Sequence, residues 1–312
     1  MSSVNYSPTF SGLKNNPPKT QKYKYNDALQ TNAGYFAGSA ITGVLGLGAL
    51  PIADKMAKMN HKISPDKAAE LFEHAKTALK NSGAGDKVSL ETLKNVKDTN
   101  PITQAVVERI DKMKLPKFMK KLTKMNVPEY AAAKGQNAFF APLANKIVYN
   151  PEKMALAPFH EIGHAMNWNT KWGKAIQLGR KPIMAIAGTI TLLALAAKSK
   201  SRAEHQEKLT GKPEKKGFMS FIRDNAGKLS FAAMLPIVFE EGMASYKGAK
   251  LAKPLLSPEM FKKMNKANAM GLATYVLGAA AVGVGAWAAV KIKDKLVANK
   301  IAKQEAQNRA NV

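Results

Sequence analysis

The pentapeptide His160-Glu161-Ile162-Gly163-His164 is the strongest constraint on how this chain can fold. Residues four positions apart lie one turn apart on the same face of an α-helix, so the two imidazoles can reach one metal ion. The carboxylate between them lies beside that ion without needing to bind it. The spacing therefore predicts a helix. Because Pro158 cannot donate a helical hydrogen bond, we expect this helix to begin or kink there and to run to about Asn167.

The same residues predict a zinc site and its chemistry. Zinc lowers the pKa of a water on the metal to about 7, and Glu161 can accept the proton of that water. The pattern H-E-x-x-H is the signature of zinc-dependent peptidases. The chain has five histidines and no cysteine, so histidines and carboxylates must supply every ligand. The alternative is that both histidines serve only to pack the helix.

Charge and hydrophobicity are unevenly distributed along the 312 residues. A net charge of +26 suits either nucleic acid or an anionic lipid surface. Residues 35–53 and 269–290 carry no charge, and about 20 apolar residues cross a bilayer. Residues 182–197 and 229–239 are shorter apolar stretches. These segments favour lipid as the partner and argue against nucleic acid, although buried helices of a soluble protein would look similar.

The composition divides the chain into six regions. They are a disordered N-terminal tail (1–34), a transmembrane segment (35–53), a basic helical region (54–130), the catalytic domain (131–268), a second transmembrane segment (269–290) and a basic C-terminal tail (291–312). The catalytic domain includes a hydrophobic hairpin over 182–239. Within the basic region, Ser64, Ser89 and Asn100 are predicted helix starts. Six lysines between 112 and 124 predict either a solvated helix face or a contact with anionic headgroups.

Two short strands precede the metal-binding helix, and they give a fold class that is mainly α with a small β-sheet or hairpin. The first covers Asn137, Ala138, Phe139 and Phe140, and the second covers 146–149. In zinc peptidases a strand edge beside the metal helix commonly binds an extended peptide as an extra strand. The backbone of the first strand, or of residues 147–149, is therefore expected to line a substrate cleft.

The third ligand can be narrowed by elimination. No Asp or Glu occurs between Glu161 and Glu204. The remaining candidates are Glu204, His205, Glu207, Glu214, Asp224, Glu240 and Glu241. Adjacent carboxylates at 240 and 241 close an apolar stretch, where they are costly unless one of them meets a cation. The alternative is that both face solvent at a helix end.

Asn-Ala-Phe on a strand, a second strand, H-E-x-x-H, a hydrophobic insertion and Glu-x-x-Ala occur in that order over residues 137–250. This order resembles the HtpX / CAAX prenyl protease family of membrane-embedded gluzincins. The resemblance implies that His160, His164 and Glu241 bind one zinc ion, with Glu161 as general base. Glu241 matches the family's glutamate because Ala244 follows three residues later. Ser245 replaces the aspartate that usually orients a ligand histidine.

These observations predict a membrane-associated zinc endopeptidase with a zincin-like catalytic domain and a peptide or protein substrate. The resemblance suggests membrane proteins or lipid-modified peptides as substrates. The basic segment between the two short apolar stretches favours a cytoplasmic catalytic face. Tyr246 and His205 are candidates for stabilising the oxyanion. The alternatives are a degenerate zincin with a structural role, in which Ser245 would mark the loss of function, and a basic lipid-bound scaffold without metal.

Overall fold

The computed structural model describes residues 26–60 and 63–311 and is mainly helical, with one small sheet. The helices are α1 (Ala28–Leu47), α2 (Leu50–Asn60), α3 (Pro65–Asn81), α4 (Pro101–Lys112), α5 (Lys117–Met125), α6 (Pro128–Ala133), α7 (Ala157–Trp168), α8 (Lys171–Ala196), α9 (Lys200–Thr210), α10 (Phe218–Ala252) and α11 (Pro258–Ala310). The strands are β1 (Ser89–Thr92), β2 (Phe139–Ala141) and β3 (Lys146–Tyr149).

The three strands form a mixed sheet in the order β1-β3-β2. Strand β3 is central, parallel to β1 and antiparallel to β2, so only β1 and β2 have an open edge. The second predicted strand has the predicted bounds, whereas the first covers Phe139–Ala141 instead of 137–140, so Asn137 and Ala138 precede it. The predicted helix start at Ser89 is wrong, because Ser89 begins β1 and pairs with Lys146. Because the two strands are far apart in the sequence, no local sequence pattern predicts that they pair.

Helix α7, which carries His160 and His164, is held by a core that crosses the predicted domain boundary. Helix α3 begins as predicted, with Ser64 accepting a hydrogen bond from the backbone of Lys67 and Pro65 in the first turn. Its Leu71 is buried in one cluster with Phe159 and Ile162 of α7. Residues 65–92, which were assigned to a separate basic region, therefore supply part of the wall behind α7.

Helices α7 and α10 cross at a contact made by residues with little or no side chain. A Cβ atom placed on Gly163 would lie 1.9 Å from the carbonyl oxygen of Ala244. A Cβ atom on Gly248 would lie 2.1 Å from the carbonyl oxygen of Phe159. Since ordinary contacts need more than 3 Å, only glycine permits this approach. The crossing brings the middle of α10 against the face of α7 that carries His160 and His164.

The hydrophobic segments are longer than the sequence predicts. The predicted hairpin over 182–239 is formed by α8, α9 and α10, and α8 and α10 extend past both of its limits. Arg180 and Lys181 truncate the first apolar stretch in the sequence. The helix tolerates Arg180 because the side chain pairs with two carboxylates of α10.

Within the described residues, three helical stretches are long and apolar enough to cross a membrane, and they fit a membrane-associated protein. They are Ala28–Met56, which joins α1 to the first part of α2, Lys171–Thr210, which joins α8 to α9, and Pro258–Ala310, which is α11. Only 6%, 28% and 28% of their apolar windows, respectively, is buried within the protein. Helix α1 begins within the predicted tail 1–34, and residues 1–25 lie outside the described residues. Helix α11 includes most of the predicted tail 291–312.

Candidate metal centre

Three ligand atoms converge where α7 and α10 cross. The Nε2 atoms of His160 and His164 are 3.0 Å apart. The Oε2 atom of Glu241 lies 3.3 Å from Nε2 of His160 and 3.5 Å from Nε2 of His164. Tetrahedral zinc, with bonds of about 2.0–2.1 Å, separates neighbouring ligand atoms by about 3.3–3.4 Å. The dimensions of this triangle therefore fit one zinc ion.

The other nitrogen of each histidine has its own hydrogen-bond partner. Nδ1 of His160 is 3.1 Å from the hydroxyl oxygen of Ser245. Nδ1 of His164 is 2.8 Å from Oε1 of Glu240. A partner at Nδ1 fixes the ring orientation and leaves Nε2 free to bind a metal. Ser245 thus lies where the resemblance implies, and Glu240 supplies a charged partner that the sequence did not assign.

Glu240 is buried, and protein groups donate hydrogen bonds to both of its carboxylate oxygens. Its Oε1 also accepts hydrogen bonds from Nδ2 of Asn167 at 3.1 Å and Nε2 of Gln177 at 2.9 Å. Its Oε2 accepts one from Nη2 of Arg180 at 2.5 Å. A carboxylate with four donors is held in one orientation and can in turn hold His164.

Arg180 connects the two adjacent carboxylates. The same Nη2 atom donates to Oε1 of Glu241, also at 2.5 Å. Glu241 therefore has one oxygen directed at the guanidinium and the other, Oε2, directed at the two histidines. One cation from α8 partly neutralises two buried carboxylates, and it restricts Glu241 to presenting a single oxygen to the metal position.

The electrostatics of the site favour a positive charge between the ligands. Burial alone would raise the pKa of Glu240, but the hydrogen bond and charge of His164 and the charge of Arg180 lower it to about 2. Burial alone would lower the pKa of His164, but hydrogen bonds to Glu240 and Glu241 raise it to about 10. Both pKa shifts arise because a positive charge between the histidines and the carboxylates is favourable. Either a proton or a metal cation can supply that charge.

Glu161 is buried beside this triangle, with a carboxylate oxygen within 4.8 Å of a ring nitrogen of His160 and of His164. Burial raises the pKa of its carboxyl group, partly opposed by the charges of His164 and His160. The backbone N–H of Phe140 donates a hydrogen bond to this carboxylate. The edge strand β2 is thereby fixed beside the group that the sequence predicts to be the base.

A cleft of about 420 Å³ opens over the metal position. One wall is the segment Gln136–Phe140 with the edge strand β2, and His160, Glu161 and Glu241 form the floor. Because β3 is paired on both sides, residues 147–149 do not offer the free edge that the sequence left as an alternative.

Helix α11 forms the opposite wall of the cleft. Residues at positions 264, 267, 268, 271, 274 and 275 follow helical spacing and all line it. Tyr275 contributes a hydroxyl group that interacts with the Glu241 carboxylate. One face of a helix that is apolar enough to cross a membrane therefore borders the candidate site.

The remaining candidate ligands lie in other interactions. His205 pairs with Glu305 at 3.2 Å, while Glu214 and Asp224 both pair with Arg223. Glu204 and Glu207 are exposed on α9. Tyr246 is 65% exposed and does not line the cleft, so the oxyanion role suggested for it, and for His205, is not supported.

Arg180, Gln177 and Tyr275 are the site residues that the sequence did not reveal. Only the costly pair at 240 and 241 indicated that a cation was needed. Comparison with known proteins adds no relative: no family model, no curated protein and no solved structure matches this chain.

Proposed function

We propose that this chain is a membrane-associated zinc endopeptidase of the HtpX / CAAX prenyl protease type, with a zincin-like catalytic domain. One observation carries the proposal. Nε2 of His160, Nε2 of His164 and Oε2 of Glu241 form a triangle of 3.0, 3.3 and 3.5 Å, close to the ligand spacing of tetrahedral zinc. Three protein ligands leave a fourth position open, as in catalytic zinc sites.

When bound, zinc would activate a water for attack on a carbonyl group and polarise that carbonyl. Glu161 accepts the proton of the attacking water and passes it to the leaving amine. Burial suits Glu161 to this exchange, because a raised pKa brings a carboxyl group nearer to neutral pH. The hydrogen bond from Phe140 keeps the base beside the strand that would hold the substrate.

The substrate is an extended peptide that lies along the free edge of β2. The backbone of Asn137, Ala138, Phe139 and Phe140 then aligns the peptide over the metal position, by the strand addition that other peptide-binding proteins use. Tyr275, on the opposite wall, turns its hydroxyl hydrogen from the Glu241 carboxylate to the oxyanion that develops on the scissile carbonyl. The basic segment between α8 and α10 joins the ends of these helices that lie away from the site, so it shares the cytoplasmic side with the catalytic face only if the two helices dip into the membrane without crossing it.

A degenerate zincin is the second candidate, and Ser245 favours it. The partner of His160 is a neutral hydroxyl at 3.1 Å, whereas the partner of His164 is a charged carboxylate at 2.8 Å. A neutral partner makes the ligand less basic. Such a protein would keep zinc for stability without turnover.

Zinc stoichiometry of the detergent-purified protein tests the proposal. We expect about one zinc per chain in the native protein and much weaker binding in Glu241→Ala. Glu207→Ala, which removes an exposed carboxylate of α9, is the matched control and should retain its zinc. Equal zinc in Glu241→Ala would remove Glu241 from the site, and absence of zinc from the native protein under zinc supply would refute the proposal.

Glu161→Gln separates the enzyme from the degenerate form. The variant should bind zinc like the native protein and should lose cleavage of an unfolded probe protein such as casein. Cleavage at the native rate would refute the assigned base. Zinc binding without cleavage by the native protein would favour the degenerate form.

A further inference from the structure

Helix α5 presents its apolar side chains outward. None of its nine residues is buried. Phe118, Met119 and Leu122 are 65%, 41% and 38% exposed. Their spacing places them on one side of the helix. A surface helix of a soluble protein normally packs its apolar side against the core. On α5 these apolar side chains are instead left exposed to solvent.

Lysines surround this apolar side. Lys124 pairs with Asp111 at 2.8 Å, and Lys120 donates to the backbone carbonyl of Asp111 at 2.6 Å. The other lysines of this segment are exposed, and none of them forms an ion pair with a carboxylate of the described residues: Lys112, Lys114, Lys117 and Lys121. The surface therefore combines apolar side chains with uncompensated positive charge.

We infer that α5 binds the surface of a bilayer that contains anionic lipids. Phe118, Met119 and Leu122 enter the boundary between headgroups and acyl chains, and the lysines contact the phosphates. A second copy of this chain would bring the same positive charge and be repelled. Nucleic acid fits less well, because single-stranded binding uses several stacking aromatics and Phe118 is the only one on α5.

Contacts connect α5 to the sheet through its neighbours. Lys120 and Lys124 of α5 both contact Asp111 of α4. Glu129 of α6 accepts hydrogen bonds from the backbone and side chain of Asn100 and from the hydroxyl of Thr103, at the start of α4. Glu129 also lies 3.6 Å from Nζ of Lys146, on the central strand of the sheet. Lipid binding by α5 would thus orient the sheet and its edge strand β2 against the membrane. This inference does not depend on zinc or on proteolysis.

A single-cysteine probe tests the inference, since the chain has no cysteine of its own. Met119→Cys is labelled with a polarity-sensitive fluorophore, and the full chain is placed in nanodiscs. The discs contain phosphatidylcholine alone or with phosphatidylglycerol, and a nitroxide on the lipid acts as quencher. We expect a blue shift and lipid quenching in the anionic discs. Asn81→Cys, at the exposed end of α3, is the matched control and should report water in both.

A charge variant tests the role of the lysines. In the labelled background, Lys117→Gln with Lys121→Gln should shift the equilibrium away from the lipid by roughly thirtyfold, because each lysine near an anionic surface contributes about fivefold. Since α5 has no buried residue, the fold should be retained.

Four results would overturn the inference. One is a label that reports water in both kinds of disc, and another is equal quenching with and without anionic lipid. The third is a shielded label that becomes exposed when the protein is diluted, which would indicate a second copy of the chain. Shielding by an added RNA oligonucleotide in neutral discs would likewise assign the surface to nucleic acid.

Discussion

Substitution of Gly248 by alanine should separate the metal ligands without touching any of them. The new Cβ would lie 2.1 Å from the carbonyl oxygen of Phe159. Restoring an ordinary contact of about 3.4 Å requires α7 and α10 to move about 1.3 Å apart. None of the neighbours is a flexible side chain, because the next two contacts are with the carbonyl carbon of Phe159 at 2.7 Å and the Cα atom of His160 at 3.2 Å. Overpacking of this kind costs about 1–3 kcal/mol.

The ligand triangle gives the effect on metal binding. Oε2 of Glu241 already lies 3.5 Å from Nε2 of His164, at the wide end of what one zinc ion spans. A further ~1 Å would leave only two ligands at bonding distance. We expect Gly248→Ala to weaken zinc binding at least about tenfold, which corresponds to about 1.4 kcal/mol.

Gly242→Ala is the matched control on the same helix. Its Cβ would meet nothing closer than the methyl groups of Leu272 at 4.0 Å. The change should leave zinc affinity unaltered, and the better helix propensity of alanine can stabilise the protein by up to ~1 kcal/mol. Zinc competition with a chromogenic chelator, combined with thermal unfolding, measures both quantities. Native zinc affinity in Gly248→Ala would show that the close crossing does not set the ligand geometry.

Three further results follow from the site. Arg180→Met should destabilise the zinc-free protein by ~2 kcal/mol, because Glu240 and Glu241 lose a shared cation. Thermal unfolding with and without zinc should show that zinc stabilises this variant more than it stabilises the native protein. An equal stabilisation by zinc in both proteins would contradict this. Tyr275→Phe should lower kcat about a hundredfold with zinc content unchanged, whereas loss of zinc would make the contact with Glu241 purely structural. Chelation of the metal should lower the Tm of the native protein but not of Glu241→Ala, because zinc binding contributes to folding.

The sequence predicted those parts of the site that depend on local spacing. His160 and His164 share one face of α7 because four residues make about one turn, and Pro158 lies in its first turn as expected. The helix start at Ser64 has a capping side chain that can be recognised from the sequence. These features need no knowledge of distant residues.

The parts that the sequence could not predict depend on contacts between distant segments. Strand β1 exists because Leu90 pairs with Ile147, and four residues in isolation do not encode that pairing. The same limit concealed Arg180, which appears in the sequence as a charge that ends an apolar stretch. Helix α8 instead continues past it, and its guanidinium reaches both carboxylates of α10.

Glu-x-x-Ala, the pattern that selected Glu241, has a physical basis in the helix crossing. Ala244 is fully buried, and its carbonyl oxygen lies where a side chain on Gly163 would be. Gly163 lies between the two histidines in the sequence. The alanine that permits this close contact therefore also fixes how far Glu241 lies from His160 and His164. A larger residue at 244 would pack into the same crossing from the other side.

The adjacent acids then divide two tasks that one carboxylate could not perform. Glu241 directs Oε2 at the histidine Nε2 atoms, whereas Glu240, about 100° further around the helix, reaches Nδ1 of His164. Their cost at the end of an apolar stretch is offset by Arg180 on one side and by a positive charge between the ligands on the other. Loss of Arg180 would deprive both carboxylates of their shared counter-charge, whereas neutralising one acid would leave Arg180 to the other, so substitutions at these three positions are not expected to be additive.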